Sequence, residues 1–213
     1  RIADAGHEIA SHGYDHRKVF ELNAEEFRVD ADSTKKILED ASGARVVGYR
    51  APGFSINAKT PWAYDILADL GYRYSSSSHP IAHDHYGDPN GAASPYRPLK
   101  GLDFVEAPVA TTEIMGRRVS CAGGGWFRAA PYWASKRLIE RASRRLDGPV
   151  IFYFHPWEVD PEQPRIDSAP AKSRLRHYLN IDRMHSKLDR LLRDFEWSRI
   201  DDLIIPHRGR LAA

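Results

Sequence analysis

His12 and His16 lie four residues apart near the start of the chain, within the run SHGYDH. Two imidazoles at this spacing can hold one divalent ion from a single turn of the chain. The chain contains ten histidines, so a chance pair on the surface is the alternative explanation. A zinc peptidase is disfavoured, because its motif has histidines four apart, whereas His7-Glu8 is followed by a histidine five positions after His7.

Two later segments contain residues that a hydrolase could use. Arg50 precedes an Ala-Pro-Gly-Phe run, where by sequence alone it could simply be an exposed loop arginine. His155 follows the apolar, β-rich run 150–154, which predicts a buried strand. An imidazole at that strand end could be a hydrogen-bonded core histidine, although its pKa near neutrality also suits proton transfer.

The composition restricts the classes of protein and site. A formal charge of +2, with basic residues spread along the chain, does not indicate a nucleic-acid partner. The single cysteine, Cys121, excludes an internal disulfide and any Cys-rich zinc site, so a metal would rest on histidine and carboxylate. No run approaches the roughly 18 apolar residues that a membrane helix requires. The chain begins at Arg1 and not at methionine, so cell envelope, periplasm and cytoplasm all stay open as compartments, as does the oligomeric state.

The first half of the sequence predicts alternating strands and helices. Asn23 and Glu26 form a capping box for a helix that ends at Gly43, and Thr60-Pro61 begins a helix that ends at Gly71. Strands are predicted at 7–12, 45–49 and 72–75. This alternation is typical of an α/β domain with a parallel sheet, whose functional loops gather at the carboxyl ends of the strands.

The second half predicts longer loops between its elements. Residues 76–98 read as a surface loop that contains His79, His83 and His85. The further predictions are strands 104–109 and 113–121, a sharp loop at 123–125, helix 131–146, strand 150–154, a proline-rich extended loop, and a final helix capped by Asn180.

The three chemical segments, in this order, resemble the polysaccharide deacetylase family (NodB homology, carbohydrate esterase family 4) from Gly6 to the end of the chain. The runs HPWE at 155–158 and RHYLN at 176–180 resemble the branch associated with bacterial exopolysaccharide gene clusters. The resemblance implies a distorted (β/α) barrel, with residues 1–213 as one domain whose N-terminal strands are missing and which carries a C-terminal extension from about residue 156. It also implies metal-dependent removal of N-acetyl groups from a polysaccharide.

The resemblance assigns roles to individual residues. His12 and His16 would hold one divalent ion, zinc first, with cobalt, nickel or manganese as alternatives. Arg50 would orient the catalytic base, the N–H of Gly53 would help hold the oxyanion, and His155 would protonate the departing amine.

The substrate-binding positions depart from the usual pattern of the family. The run 123–128 lacks the expected aspartate, which leaves Trp126 as a groove wall, Arg128 as a polar contact and the orientation of the general acid open. Tyr153 replaces a leucine of the acetyl pocket, and Trp157 is either a sugar platform or a packing residue.

The family places its acidic base and third metal ligand on a strand before the histidine pair, and that strand is absent here. We therefore expect residues 1–213 alone to be poorly folded and catalytically silent, unless another carboxylate, Asp15 or Glu158, takes the missing role. The competing hypothesis is a non-catalytic glycan-binding or scaffold domain that keeps the fold.

Overall fold

The structure is a computed structural model that describes residues 1–83 and 87–205. It divides into two compact units, each described below by itself. Unit 1 contains Arg1–Val109, Asp147–Pro149 and the chain from Ser198 onward, and unit 2 contains Ala110–Leu146 and Val150–Trp197. Within the described residues, none of the helices has both the length and the apolar character needed to cross a membrane.

Helix α1 of unit 1, Ala24–Ser42, begins and ends as the sequence predicts. The side chain of Asn23 accepts from the N–H of Glu26, and the Glu26 carboxylate accepts from the N–H of Asn23, so two unpaired donors of the first turn are satisfied. Gly43 ends the helix in the left-handed region at φ 66°. The capping box and the terminal glycine are therefore both confirmed.

Unit 1 has a short parallel sheet. Strands β1 (Gly48–Tyr49), β2 (Tyr74–Ser75) and β3 (Val105–Glu106) pair in the order β1-β2-β3, and helix α2 (Trp62–Asp69) connects the first two. The predicted strand 7–12 is reduced to one parallel bridge between Ser11 and Tyr49. Every pair is parallel, so the segments that follow these strands leave from the same edge of the sheet. The mixed α/β class predicted from the sequence is confirmed.

Aromatic side chains fill the core of unit 1 between α1, α2 and the sheet. Phe27 and Tyr72 each meet Tyr49 edge to face with ring centroids 5.7 Å apart, and the Tyr72 hydroxyl donates to the carbonyl of Ala31 at 2.9 Å. All three rings are at least 98% buried. This packing holds β1 against the helix and so fixes the strand from which Arg50 emerges.

Unit 2 contains a hairpin that the sequence analysis read as a single strand. Strands β4 (Thr111–Ile114) and β5 (Arg117–Ser120) pair antiparallel through a two-residue turn. Met115 and Gly116 both have positive φ, 49° and 73°, as a tight hairpin of this length requires. The prediction of one strand over 113–121 was wrong because Met115 is an unusual residue for the left-handed region and gave no turn signal.

The helices of unit 2 are α3 (Gly124–Ala129), α4 (Tyr132–Arg145), α5 (Ala171–Tyr178) and α6 (Met184–Asp194); unit 1 ends with α7 (Ile200–Ile204). Helix α4 confirms the prediction over 131–146. The predicted sharp loop at 123–125 is instead the start of α3, and α5 was not predicted.

Two predicted features of unit 2 differ from the structure. Run 150–154 forms one parallel bridge, from Tyr153 to Gly123, and Phe154 is 43% exposed, so it is not a fully buried strand. Asn180 makes no side-chain cap: it adopts φ 52° ahead of a short 3-10 turn, Ile181–Arg183, and its amide donates to the carbonyl of Arg128.

Candidate active site

The histidine pair of unit 1 lies in a loop that leaves the sheet beside β1. The N–H of Ser11 donates to the carbonyl of Gly48 at 2.9 Å, and the N–H of Arg50 donates to the carbonyl of Ser11 at 2.8 Å. These two bonds place His12 and Arg50 next to each other at the carboxyl ends of neighbouring parallel segments. The sequence prediction that both motifs share one sheet edge holds within this unit.

The His12 ring has a defined tautomer. Its Nδ1 lies 2.6 Å from the carbonyl oxygen of Arg50, and because a carbonyl can only accept, Nδ1 carries the proton. The neutral ring then presents its lone pair at Nε2. The ring of His16 lies 5.0 Å away, centroid to centroid, with the planes at 75°. A ring held in this way by a backbone carbonyl is the usual arrangement of a metal-binding histidine.

A carboxylate that the sequence analysis overlooked holds the histidine loop. Asp30 of α1 accepts from the N–H of Tyr14 at 3.0 Å and from the N–H of Asp15 at 3.2 Å. Gly13 has φ +76°, and a Cβ there would lie 3.0 Å from the Asp30 carboxylate. His16 also has positive φ, 53°, a conformation that costs a non-glycine residue about 1–3 kcal/mol. The signal in the sequence was an aspartate next to Ala31 in the apolar stripe of α1.

Arg50 is anchored by the segment that follows β2. Its Nε donates to the carbonyl of Ser76 at 2.9 Å and its Nη2 to the Ser76 hydroxyl at 2.8 Å. The guanidinium lies 6.0 Å from the ring centre of Phe54. Gly53, in the 3-10 turn Pro52–Phe54, has φ 61° and ψ 27°, so a glycine suits this turn.

A buried glutamate organises the serine run beside Arg50. Glu106, at the end of β3, is fully buried, and its Oε1 accepts from the N–H groups of Ser77 and Ser78 at 2.9 and 2.8 Å. Ser77 in turn accepts from the N–H of Ala51 at 2.8 Å through its hydroxyl. The end of β3 therefore supports the loop that carries Arg50, a contact that no motif in the sequence indicated.

The prediction that residues 76–98 form a surface loop was wrong for its first part. His79 is 1% exposed and meets the Phe54 ring edge to face at 5.3 Å. Burial, followed by the charge of His83, lowers the pKa of His79 to about 4. His79 lines a cavity of about 360 Å³ together with Tyr64, Ser78 and Tyr96. His85 lies outside the described residues.

In unit 2, His155 follows the bridge that Tyr153 makes with Gly123. The ring of His155 is half exposed, with 53% of its side-chain surface accessible, so it is not a core histidine. Its Nδ1 lies 2.9 Å from Oε1 of Glu158. Glu158 itself is 2% exposed, because its carboxylate lies against α3 at Gly124, where a Cβ would come within 1.9 Å of Oε2.

Arg128 does not have the role predicted from the sequence. It is 3% exposed, its Nε donates to Oε2 of Glu158 at 3.3 Å, and its Nη1 donates to the carbonyls of His177 and Leu179 at 2.9 and 2.7 Å. A side chain whose donors are all directed inward cannot reach a sugar. The prediction of Arg128 as a substrate contact is therefore replaced by a structural one: it joins α3 to the end of α5.

The aromatic candidates of unit 2 fall into two groups. Trp157 stacks between the rings of His155 and His177, with centroids 5.4 and 4.1 Å away, so its faces serve packing. Trp126 projects from α3 and is 57% exposed, as a sugar-binding wall would be. Tyr153 packs over Gly123, where a Cβ would lie 2.9 Å from its ring.

Sequence models of known families cover nearly the whole chain. Residues 1–75, with the histidine pair and Arg50, match the family described as polysaccharide deacetylase. This part of the chain is therefore similar to the polysaccharide deacetylases, over about a third of the sequence. Residues 76–205 match a domain of unknown function, DUF3473, which agrees with the exopolysaccharide-associated branch of this family.

Individual proteins and solved structures are also similar to this chain. A protein from Gibberella zeae, described as the peptidoglycan deacetylase-like protein FGM2, is 34% identical over 76 residues, which are 36% of this chain and 22% of that protein. The chain thus spans less than a quarter of this curated relative. A crystal structure from Mycobacterium smegmatis, assigned to the polysaccharide deacetylases, shares the fold with a TM-score of 0.50 and 21% identity, over 93% of this chain and 67% of that one. A family 4 carbohydrate esterase from Streptomyces lividans, in complex with acetate, has a TM-score of 0.40 and 17% identity, over 89% of this chain and 64% of that one.

The donor set in the deacetylase-family part of the chain fits a metal ion only in part. His12 and His16 supply two imidazoles, the first with its tautomer set for binding. Residues 1–83 and 87–205 contain no group of three or more His, Cys, Asp or Glu side chains placed to share one ion. Glu158, one of the two carboxylates considered for the missing role, is bound to Arg128 and His155. The described residues could therefore supply at most two of the three protein ligands that a catalytic zinc usually has.

Proposed function

We propose that this chain is part of a metal-dependent hydrolase that removes N-acetyl groups from a polysaccharide of N-acetylhexosamines. The observation that carries the proposal is the histidine pair, with the Nδ1 proton of His12 held by the carbonyl of Arg50 at 2.6 Å. The Gibberella zeae relative is described as peptidoglycan deacetylase-like, and the motifs at 155–158 and 176–180 favour an exopolysaccharide. Both polymers belong to the proposed substrate class.

The proposed cofactor is one divalent ion, zinc first, with cobalt, nickel and manganese as alternatives. His12 and His16 would hold it through imidazole nitrogens. When bound, such an ion polarises an amide carbonyl and lowers the pKa of a coordinated water.

The residues of the chain would then do separate tasks. Arg50 supplies a fixed positive charge beside the histidine loop, and the N–H of Gly53 is a backbone donor for the oxyanion. His155 would give a proton to the amine nitrogen as its bond to the acetyl carbon breaks, while a water oxygen becomes part of acetate and the water proton passes to the carboxylate base that the family places before the histidine pair. Trp126 is the proposed sugar-binding wall, and Tyr153 a wall of the acetyl pocket.

Metal titration tests the first assignment. The protein is titrated with zinc or cobalt alone, and binding is followed by calorimetry or by the cobalt absorption spectrum. The double variant His12→Ala/His16→Ala should lose the site, whereas His185→Ala, an exposed histidine of α6, should bind as wild type does. Equal binding by the double variant would remove the histidine pair from the proposal.

Acetate release from an N-acetylglucosamine oligomer tests the second assignment. Replacing His155 with alanine should lower kcat by roughly 10² to 10⁴ and leave the metal content unchanged, because a general acid acts on the leaving group and not on the ion. Loss of metal from His155→Ala would show that His155 is a ligand instead.

One observation favours a second candidate function, a non-catalytic glycan-binding domain. The described residues show no third metal donor and no assigned base near the histidine pair. The two functions differ in a simple measurement: a binding domain retains an N-acetylglucosamine oligomer but releases no acetate with any of the four metals. The deacetylase requires both binding and release.

A further inference from the structure

Glu158 lies three residues after His155 and is bound to it. Oε1 of Glu158 lies 2.9 Å from Nδ1 of His155, and the N–H of Glu158 donates to the carbonyl of His155 at 2.9 Å. We propose that Glu158 is the positioning residue of the general acid: it holds the His155 ring through Nδ1–H, so that Nε2 is the atom that delivers the proton. This inference rests on the proposed function, because it concerns how the His155 ring is oriented when it protonates the leaving amine.

The carboxylate of Glu158 is held in one place. It is 2% exposed, it accepts from Nε of Arg128 at 3.3 Å through its other oxygen, and it fills the space over Gly124. Arg128 is itself fixed by the main chain at the end of α5, through bonds to the carbonyls of Arg176, His177 and Leu179. The guanidinium of Arg128 can only donate, so Oε2 of Glu158 accepts from it, and a carboxylate accepts at both oxygens, which makes Nδ1 of His155 the donor to Oε1.

The face of the His155 ring is also fixed. Trp157 stacks on it with the ring planes 18° apart, and the far side of Trp157 is covered by His177 at 14°. Nε2 of His177 donates to Oε1 of Gln163 at 2.6 Å, which ties this stack to the proline-rich loop. Burial, followed by the charge of Arg128, lowers the pKa of His177, so the outer imidazole stays neutral near pH 7.

The proton balance assigns each ring nitrogen one task. In the protonated ring both nitrogens carry hydrogen, and Nδ1–H stays bound to Glu158 throughout. The Nε2 proton moves to the amine nitrogen as the C–N bond breaks, and the electron pair of that bond remains on the nitrogen. The ring is left neutral with its proton on Nδ1, ready to be protonated again at Nε2 by solvent.

The variant Glu158→Gln tests this arrangement because it keeps the shape and removes the charge. Arg128 would still donate to the amide oxygen, which turns the amide N–H₂ toward Nδ1 of His155. Nδ1 must then accept, and the neutral ring must move its proton to Nε2. We expect the long-range ¹H–¹⁵N spectrum of the neutral His155 ring, assigned by its absence in His155→Ala, to show Nδ1–H in the wild type and Nε2–H in Glu158→Gln.

Kinetics provide the second measurement. Glu158→Gln should lower kcat for acetate release by about 10- to 100-fold and change KM by less than about twofold, since positioning the acid affects the chemical step and not substrate binding. Glu158→Asp, which keeps the carboxylate, should recover part of kcat. The matched control is Glu162→Gln, an exposed glutamate four residues further on, which should leave spectrum and kcat unchanged. In a double-mutant cycle, His155→Ala/Glu158→Gln should be no slower than His155→Ala alone.

Three results would overturn the inference: an Nε2–H tautomer in the wild type, an unchanged tautomer and kcat in Glu158→Gln, or independent, multiplying losses in the double variant. A full-length wild-type protein that releases no acetate with any metal would refute the proposed function, whereas the tautomer reversal would still support the positioning contact. If Glu158→Gln does not fold, the wild-type tautomer and the Glu158→Asp kinetics decide the question.

Discussion

At the scale of single residues, a buried ion pair in unit 2 both stabilises the fold and contacts His155, the proposed general acid. Arg128 and Glu158 are each at most 3% exposed, and the guanidinium also binds three main-chain carbonyls. Removing two charges from water is costly, and the cost is offset only while both partners and their hydrogen bonds are present. The pair is therefore more sensitive to loss of one partner than any exposed ion pair of this chain.

Arg128→Met should lower the free energy of unfolding by about 3–5 kcal/mol, because it leaves the Glu158 carboxylate buried without its cation. Denaturant unfolding followed by circular dichroism measures the change. Arg137→Met, an exposed arginine of α4 that lies 5.7 Å from the centre of the Trp133 ring, should change it by less than about 1 kcal/mol. The double variant Arg128→Met/Glu158→Gln should recover part of the loss. If Arg128→Met leaves the free energy of unfolding unchanged, the ion pair does not stabilise the fold.

At the scale of elements, one residue of helix α3 and one of helix α1 support the candidate site. Each of these helices also contains a similar residue that can serve as a matched control. Helix α3 begins with two glycines that look equivalent in sequence. A Cβ at Gly124 would lie 1.9 Å from Oε2 of Glu158, whereas a Cβ at Gly125 would have nothing within 4 Å. Gly124 must be a glycine because the Glu158 carboxylate occupies the space where a Cβ would lie, whereas the position of Gly125 has room for a side chain.

Gly124→Ala should destabilise the protein by about 1–3 kcal/mol, since the carboxylate it displaces is held by Arg128 and His155. Gly125→Ala should be neutral or stabilise by up to about 1 kcal/mol, as alanine does in an unobstructed helix. Thermal unfolding of the two variants, measured side by side, checks the difference. Equal effects would contradict the close approach of Glu158 to α3.

Helix α1 makes the second comparison. Asp30 accepts from the main chain of the histidine loop, while Asp32 forms an ion pair with Lys36 at 2.6 Å on the surface of the same helix. Asp30→Ala should lower stability by about 1–2 kcal/mol and speed hydrogen exchange at the N–H groups of Tyr14 and Asp15. Asp32→Ala should change stability by less than about 1 kcal/mol and leave that exchange unchanged. Unaltered exchange in Asp30→Ala would mean that the loop keeps its shape without the carboxylate.

At the scale of the whole molecule, the buried imidazole of His79 makes stability depend on pH. Its folded pKa of about 4 lies below the unfolded value of 6.5, so the unfolded chain binds a proton first as the pH falls. The contribution to stability is complete above pH 6.5 and is lost progressively as the pH falls toward 4.

The free energy of unfolding should therefore fall more steeply in the wild type than in His79→Gln over this range, by up to about 3 kcal/mol. Unfolding in denaturant at pH 7 and at pH 4.5 measures it, and the carboxylates common to both proteins cancel in the comparison. His185→Gln, an exposed histidine, should follow the wild type. If the free energy of unfolding falls equally with pH in His79→Gln and in the wild type, burial does not keep this ring neutral.

Much of the fold could be predicted because its signals are local. The capping box at Asn23, the left-handed ending at Gly43 and the boundaries of α4 depend on residues within one or two turns of each other. The shared sheet edge of His12 and Arg50 followed from the order of strands and helices, since consecutive parallel strands end on the same side. For the same reason, Arg50 follows β1 and His155 lies two residues after the bridge at Tyr153, whereas Trp126 and Arg128 lie on a helix.

The sequence alone determined which residue types are available for the proposed chemistry: a histidine pair for the proposed ion, a third histidine for the proposed proton transfer, and a single cysteine. Only the tertiary structure decided their partners. Asp30, Glu106 and Arg128 contact chain that lies 15 to 51 positions away, so no local pattern could show that the first two support the loops of unit 1 and that the third is buried. Burial and hydrogen bonding depend on which distant segments meet, and in this chain that decided which charged side chains are structural and which can face a substrate.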